Sequence, residues 1–251
     1  MVDDWLIQAM KDYNSMSLVQ KDNYPGVIML PGSLLQQILG WTLQNLPDEI
    51  LVGLDYNGEN PHIPAVEHAF LGMEAREDLF SGQGYIIEQA QIVNRGDSFS
   101  VHHLPEEWTD PIHQDARGSR AGRFAHWLHT HPNAPALPSG PDADAAQSTE
   151  GVDMILGVEF SPAGPLPLYD DIEGKRRRLI GQIGKLTPKQ GDQGAWRRRV
   201  NKPVLGKAPT GHDIHGIELI SFHRSGVGIN VILVDDNGYP YGWPFNPDDE
   251  V

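Results

Sequence analysis

The sequence predicts an α/β fold of the layered α+β kind, in which helices flank a central mixed sheet and long insertions separate the elements. Two observations support this prediction. Residues 33–45 place apolar side chains at near-helical spacing, whereas six other segments are short enough and apolar enough to be strand candidates. These segments are 27–30, 49–54, 66–71, 85–93, 124–131 and 154–160. Because both kinds of element are mixed along 251 residues, one layered core is favoured over two equal domains.

Local signals set the expected ends of the helices. Ser33 is a candidate N-cap for the helix over 33–45, and Pro47 ends that helix. Residues 133–141 contain three prolines and a glycine, which predicts a loop. A second helix is expected to follow over 142–148.

The chain divides into four parts. Residues 1–26 form an N-terminal extension, and residues 27–160 form the core. Residues 161–215 are a basic insertion rich in Gly and Pro. Residues 216–251 contain Ser-Gly and Asn-Gly turn signals, which predict a C-terminal β-hairpin that completes the core sheet.

The composition excludes several kinds of chemistry. The chain contains no Cys, so it has no thiol nucleophile, no Cys-based zinc site and no disulfide framework. A metal would therefore be held by His, Asp or Glu. The first residues are acidic, and no stretch approaches the roughly 18 apolar residues that a membrane span needs. We therefore expect a soluble, cytoplasmic protein with no membrane partner.

Charge is distributed very unevenly along the chain. The formal net charge is −15, yet the segment from Lys175 to Lys207 contains 11 of the 19 basic residues and one acidic residue. Such a segment could dock an acidic partner, or lie on the acidic body of its own molecule. Its Arg runs and Trp196 also fit nucleic-acid binding, which we consider the weaker interpretation.

One constellation of residues has the spacing of a metal site. His129 and His131 are separated by one residue in a predicted strand, so both imidazoles lie on the same face. Pro132 ends the strand, and after six further residues Ser139 caps a helix whose first turn contains Asp142. Two His and one carboxylate leave a fourth tetrahedral position open, which is typical of catalytic rather than structural zinc sites.

This pattern, His-x-His-Pro, six residues, then Ser-x-x-Asp, resembles the signature of the JAMM (MPN-plus, or JAB-domain) metalloproteases. Among them the chain looks most like the archaeal deubiquitinase or desampylase type, and the likeness covers roughly 27–160. The resemblance implies one Zn²⁺ per chain, held by His129, His131 and Asp142. It also implies that Ser139 supports the polarised carbonyl or the tetrahedral intermediate. The implied reaction is hydrolysis of an isopeptide or peptide bond at the C-terminus of a ubiquitin-like protein.

Members of the family also use an upstream glutamate as general base. Glu49 follows the helix over 33–45 and opens an apolar strand, as the resemblance requires. Glu67 is the alternative base, because it is followed closely by Leu71 and Gly72 in a family-like way. Glu88 is a third candidate.

Other interpretations stay open on sequence alone. A relative of the JAMM enzymes could process a sulfur-carrier protein or a small amide. A non-catalytic MPN scaffold is disfavoured, because scaffold members typically lose ligands that are all present here. His212 and His215 resemble a second metal site only weakly, since glycines flank the pair and favour a loop.

Overall fold

The computed structural model describes residues 2–56, 62–72, 86–96, 124–164, 166, 168–170, 176–178 and 202–244. Within them the fold is mixed α/β, as the sequence predicts. Its centre is a six-stranded sheet with the strand order β3-β2-β4-β5-β9-β8. These strands are β2 (Ile50–Asp55), β3 (Gln89–Arg95), β4 (His126–Pro132), β5 (Val152–Ser161), β8 (Gly206–Lys207) and β9 (Asp213–His223).

The middle of this sheet is buried on both faces. Strand β5 pairs with β4 in parallel and with β9 in antiparallel orientation, and β2 pairs antiparallel with β4. The side chains of β2, β4 and β5 are almost entirely buried. Apolar residues dominate β2 and β5, as expected for strands covered on both faces, whereas β4 also carries three His and one Thr. The burial fixes the register of the strands, and the register positions the site described below.

A second, two-stranded parallel sheet pairs β1 (Val27–Pro31) with β10 (Asn230–Val234). Helix α1 (Asp4–Val19) is joined to it by the buried side chain of Asn14. The Asn14 amide donates to the carbonyl of Leu233 (2.8 Å), and its oxygen accepts from the Leu233 N–H (2.9 Å). The extension predicted for the N-terminus is therefore packed into the fold rather than appended to it.

The remaining elements among the described residues are three helices, a 3₁₀ turn and one small sheet. The helices are α2 (Gly32–Gln44), α3 (Pro64–Phe70) and α4 (Gly140–Ala146), and the 3₁₀ turn is Lys21–Asn23. Strands β6 (Leu168–Asp170) and β7 (Arg176–Arg178) pair antiparallel inside the basic insertion. Most of the segment from Lys175 to Lys207, including Trp196, lies outside the described residues, as do residues 97–123.

Three local predictions need correction. The run at 66–71 is helical, not a strand, because Pro64 begins a helix that buries Val66 and Phe70 on one face. Ser33 is not an N-cap: Pro31 holds that position, and the Ser33 hydroxyl lies 3.4 Å from Asp236.

The predicted terminal hairpin is the third correction. A short antiparallel bridge joins Phe222 to Gly228, but β9 then stays in the central sheet while β10 pairs with β1. The turn signals were local, whereas the pairing of β10 depends on a strand some 200 residues earlier.

Within the described residues, no helix combines the length and the apolar character that crossing a bilayer requires.

Candidate metal centre

Strand β4 presents two imidazoles on one face at its carboxyl end. The Nε2 atoms of His129 and His131 are 3.1 Å apart, with ring planes tilted by 59°. His129 is buried and His131 is half-buried. Between them, Thr130 points to the opposite face, where its hydroxyl oxygen accepts the backbone N–H of Ile50 at 3.1 Å. The alternation predicted for a strand therefore brings the two rings together.

Helix α4 delivers the carboxylate. Ser139 is its N-cap and forms a capping box: Ser139 Oγ accepts the Asp142 N–H (3.4 Å), and Asp142 Oδ2 accepts the Ser139 N–H (2.6 Å). The other carboxylate oxygen, Oδ1, lies 3.3 Å from His129 Nε2. Asp142 is only 7% exposed, so the cap fixes a buried carboxylate with one oxygen directed at the imidazole.

The residues His129, His131 and Asp142 form a group that could hold a metal ion, with ligand atoms that all lie within 4.8 Å of one another. A tetrahedral ion with bonds of about 2.0–2.1 Å would need ligand atoms about 3.3–3.4 Å apart. The observed separations of 3.1 and 3.3 Å are close to that requirement. Nitrogen and oxygen donors of this kind suit Zn²⁺.

The tautomer of His131 also fits metal binding. Its Nδ1 is 2.8 Å from the carbonyl oxygen of Pro135, and because a carbonyl can only accept, Nδ1 must carry the proton. The lone pair of the neutral ring is then on Nε2, the atom that faces His129. Metal-binding histidines are commonly oriented by such a bond from their other ring nitrogen.

Glu49 lies immediately before β2, beside the end of β4 that holds the two His. Leu51 is the cross-strand partner of His129, so the same register continued by two residues sets Glu49 opposite His131 on the same face. Its carbonyl accepts the Gly96 N–H at 2.9 Å, which holds this backbone in line with β3. Glu49 is half-buried.

Glu67 lies elsewhere in the molecule. It is on α3, whose buried side chains Val66 and Phe70 pack on the sheet of β1 and β10. Its carboxylate is 3.4 Å from His62 Nδ1, and the hydrogen bond to His62 lowers the pKa of Glu67. Glu88 donates its backbone N–H to the carbonyl of Asp55, at the opposite end of β2 from Glu49.

The other histidines that the sequence singled out have structural partners. His212 is buried, with Nδ1 2.8 Å from the Thr210 hydroxyl and Nε2 3.0 Å from the Gly164 carbonyl. His215 contacts the Ser161 hydroxyl (2.7 Å) and the carbonyl of Pro203 (3.2 Å). With both ring nitrogens engaged in this way, the pair does not form a second metal group among the described residues.

His126 occupies the other face of β4, as its odd spacing from His129 predicts. It is completely buried, and its Nδ1 accepts the backbone N–H of Val152 at 3.1 Å. Burial lowers the pKa of His126 to about 3, so the ring is neutral at physiological pH.

Sequence reasoning missed the groups that support the ligands. The carbonyl of Pro135 and the carboxylate of Glu218, which accepts the Ala136 N–H at 3.0 Å, hold the loop between β4 and α4. Asn133 turns that loop with a positive φ of 57°, while its side-chain oxygen accepts the N–H of Phe160. An Asn directly after the strand-ending Pro132 was the one available signal.

Comparison of the chain with protein-family models and with curated proteins gives no match.

Proposed function

We propose that this protein is a zinc-dependent hydrolase of the JAMM type, which cleaves isopeptide or peptide bonds at the C-terminus of a ubiquitin-like protein. The observation that carries the proposal is the convergence of His129 Nε2, His131 Nε2 and Asp142 Oδ1. Residues on a strand and on a helix, separated by a loop, bring ligand atoms within 4.8 Å of one another. Two of the three separations, 3.1 and 3.3 Å, are close to those that one tetrahedral ion needs. The proposed stoichiometry is one Zn²⁺ per chain.

Two of the three proposed ligands have a support that directs them. The Pro135 carbonyl holds the proton of His131 on Nδ1, and the Ser139 N–H holds Asp142 Oδ2, leaving Nε2 and Oδ1 for the ion. When bound, zinc lowers the pKa of a coordinated water towards about 7 and polarises a carbonyl oxygen. Three protein ligands leave the fourth position open to solvent or substrate.

Glu49 is the proposed general base. β2 pairs Leu51 with His129, and the same register continued by two residues would put Glu49 opposite His131, which supports this assignment. Glu49 is half-buried. Its carboxylate would accept a proton from the attacking water and donate it to the leaving amine. Glu67 remains the alternative, but its lowered pKa makes it a weaker base, and its helix packs on the other sheet.

Ser139 is the proposed donor to the substrate carbonyl. Its Oγ accepts from the Asp142 N–H in the capping box, and this leaves the hydroxyl proton for an oxyanion. Ser139 is exposed, so a substrate can approach it. The same residue thus links the position of the carboxylate ligand to the stabilisation of developing charge.

The test combines zinc content with cleavage of ubiquitin-like fusions and conjugates, for wild type, Glu49→Gln and Glu67→Gln. We expect wild type to hold about one zinc and to cleave. Glu49→Gln should retain zinc but lose about 10²–10⁴-fold in rate, the usual contribution of a general base. Glu67→Gln is the matched control and should behave as wild type.

Each contrary outcome has a distinct meaning. Loss of cleavage in Glu67→Gln alone would show that the base is misassigned while the metal centre stands. Cleavage of small amides or of a sulfur-carrier precursor, but not of ubiquitin-like conjugates, would show that the proposed substrate is wrong while the proposed chemistry stands. A wild-type protein that binds no metal would overturn the proposal and favour an MPN-type scaffold.

A further inference from the structure

The loop between β4 and α4 lies directly on the sheet over Gly157. A Cβ at Gly157 would be 2.8 Å from the Ala134 carbonyl oxygen, 2.9 Å from the Ala136 nitrogen and 3.2 Å from the Pro135 carbonyl carbon. All three are backbone atoms, and the first two contacts are closer than a real Cβ tolerates. The absence of a side chain on β5 therefore lets the loop rest on the sheet at this point.

Gly157 is the middle of a row of three cross-strand partners. His131 on β4 pairs with Gly157, and Gly157 pairs with Glu218 on β9. Partners in register point to the same face of a sheet, so His131 and Glu218 rise on either side of the glycine. The loop crosses between them, with the ligand on one side and a carboxylate on the other.

A single peptide group connects the two side chains. Its N–H, on Ala136, donates to Glu218 Oε2 at 3.0 Å, and its carbonyl, on Pro135, accepts from His131 Nδ1 at 2.8 Å. A carboxylate at the N–H polarises the amide, which makes the carbonyl a stronger acceptor, because hydrogen bonds in a chain strengthen one another.

We propose that Glu218 is a positioning residue for the metal centre, which acts through the Pro135–Ala136 peptide group to hold His131 with its proton on Nδ1 and its lone pair on Nε2. The inference rests on the proposed function, since it takes His131 to be a metal ligand. Glu218 is not among the residues that would hold the ion, and its effect would be on the orientation and electron density of His131.

The exposure of this chain of bonds explains why a support is needed. Pro135 and Glu218 are exposed and His131 is half-buried, so water competes for the carbonyl of Pro135. A loop that lifted from the sheet would leave His131 free to rotate and to adopt the other tautomer. Glu218 opposes that movement from the strand beyond Gly157.

The experiment compares wild type with Glu218→Ala, Glu218→Gln and Glu159→Gln. Glu159 is a matched control on the neighbouring strand, because it points to the same face as Gly157 but pairs with Lys202. Zinc affinity is measured by chelator competition. In metal-free protein, the His131 tautomer is read from imidazole ¹⁵N chemical shifts.

Loss of a group that hydrogen-bonds directly to a metal ligand typically weakens metal binding by about 10–100-fold. Glu218 is exposed and acts on His131 through one peptide group, so its effect should be smaller. We therefore expect Glu218→Ala to bind zinc about 3–10-fold more weakly and to show a mixture of His131 tautomers. Glu218→Gln keeps an acceptor oxygen, so most of the affinity should be rescued. Glu159→Gln removes the same charge and should match wild type within about twofold.

Failure of this inference is distinguishable from failure of the proposed function. If wild type binds zinc and Glu218→Ala binds equally well with an unchanged tautomer, the role of Glu218 is refuted while the metal centre survives. If wild type binds no zinc, the proposed function fails, and the tautomer in metal-free protein still decides whether Glu218 positions His131. An equal loss in Glu218→Gln and Glu159→Gln would show that only net charge matters.

Discussion

Replacing Gly157 by Ala tests how tightly the loop between β4 and α4 rests on the sheet. The added methyl would approach loop backbone atoms at 2.8 and 2.9 Å, so either the loop lifts or the strand shifts. Overpacking of this kind costs about 1–3 kcal/mol. A Gly-to-Ala change also lowers the conformational entropy of the unfolded chain, and this effect offsets about 0.4–1 kcal/mol of the lost stability. We therefore expect Gly157→Ala to lower the free energy of unfolding by about 1–2 kcal/mol.

Thermal unfolding in the presence of a chelator measures this cost without a contribution from bound metal. For a chain of this size, 1 kcal/mol corresponds to about 2–4 °C, so the Tm should fall by about 2–8 °C. Gly40→Ala, on α2, is the control, because a Cβ added at Gly40 would have no neighbouring atom within 4 Å outside the local helix backbone. That variant should be stabilised by about 0.5–1 kcal/mol. A Gly157→Ala protein as stable as wild type would refute the close approach of the loop.

Three further predictions concern other parts of the molecule. Asn14→Ala leaves the buried N–H and C=O of Leu233 without their side-chain partner, so denaturant unfolding should show a loss of about 2–4 kcal/mol. The pKa of His126 is about 3 when folded and near 6.5 when unfolded, so only the unfolded state takes up this proton as pH falls between these values. Wild-type stability should then fall by about 1.4 kcal/mol per unit over that window, and His126→Gln should show a shallower fall in urea titrations at pH 7 to 4. Asp142→Asn removes the proposed anionic ligand, so chelator competition should show zinc affinity reduced by more than about 100-fold, because loss of a group that only supports a metal ligand already costs about 10–100-fold in affinity.

The strands that could be read from the sequence are those buried on both faces. The segments that form β2 and β5 are mostly apolar, and the segment that forms β4 contains the apolar pair Trp127 and Leu128. All three strands end within about two residues of the predicted positions. The prediction of a strand at 66–71 is wrong because so short a segment carries no clear period, and the proline that begins α3 is the better guide.

The convergence of the three candidate ligands could be predicted because their geometry is local. His129 and His131 share a face through strand alternation, and Asp142 follows from the cap of a nearby helix. Their supports could not be predicted, because the position of Glu218 depends on the register of three strands spread over some 90 residues. Nothing in the sequence around Glu218 distinguishes it from an ordinary exposed carboxylate on an outer strand.

The pairing of β1 with β10 has a consequence for the order of folding. Val27 meets Asn230, and Asn14 binds the backbone of Leu233 and Tyr241, so contacts of the second sheet join segments separated by more than 200 residues. Closing so long a loop is entropically costly and slow relative to local pairing. During synthesis, β2, β4, α4 and β5 emerge well before the strands that complete the two sheets. We therefore expect α1 and β1 to remain partly exposed and without these native contacts until β10 has emerged from the ribosome.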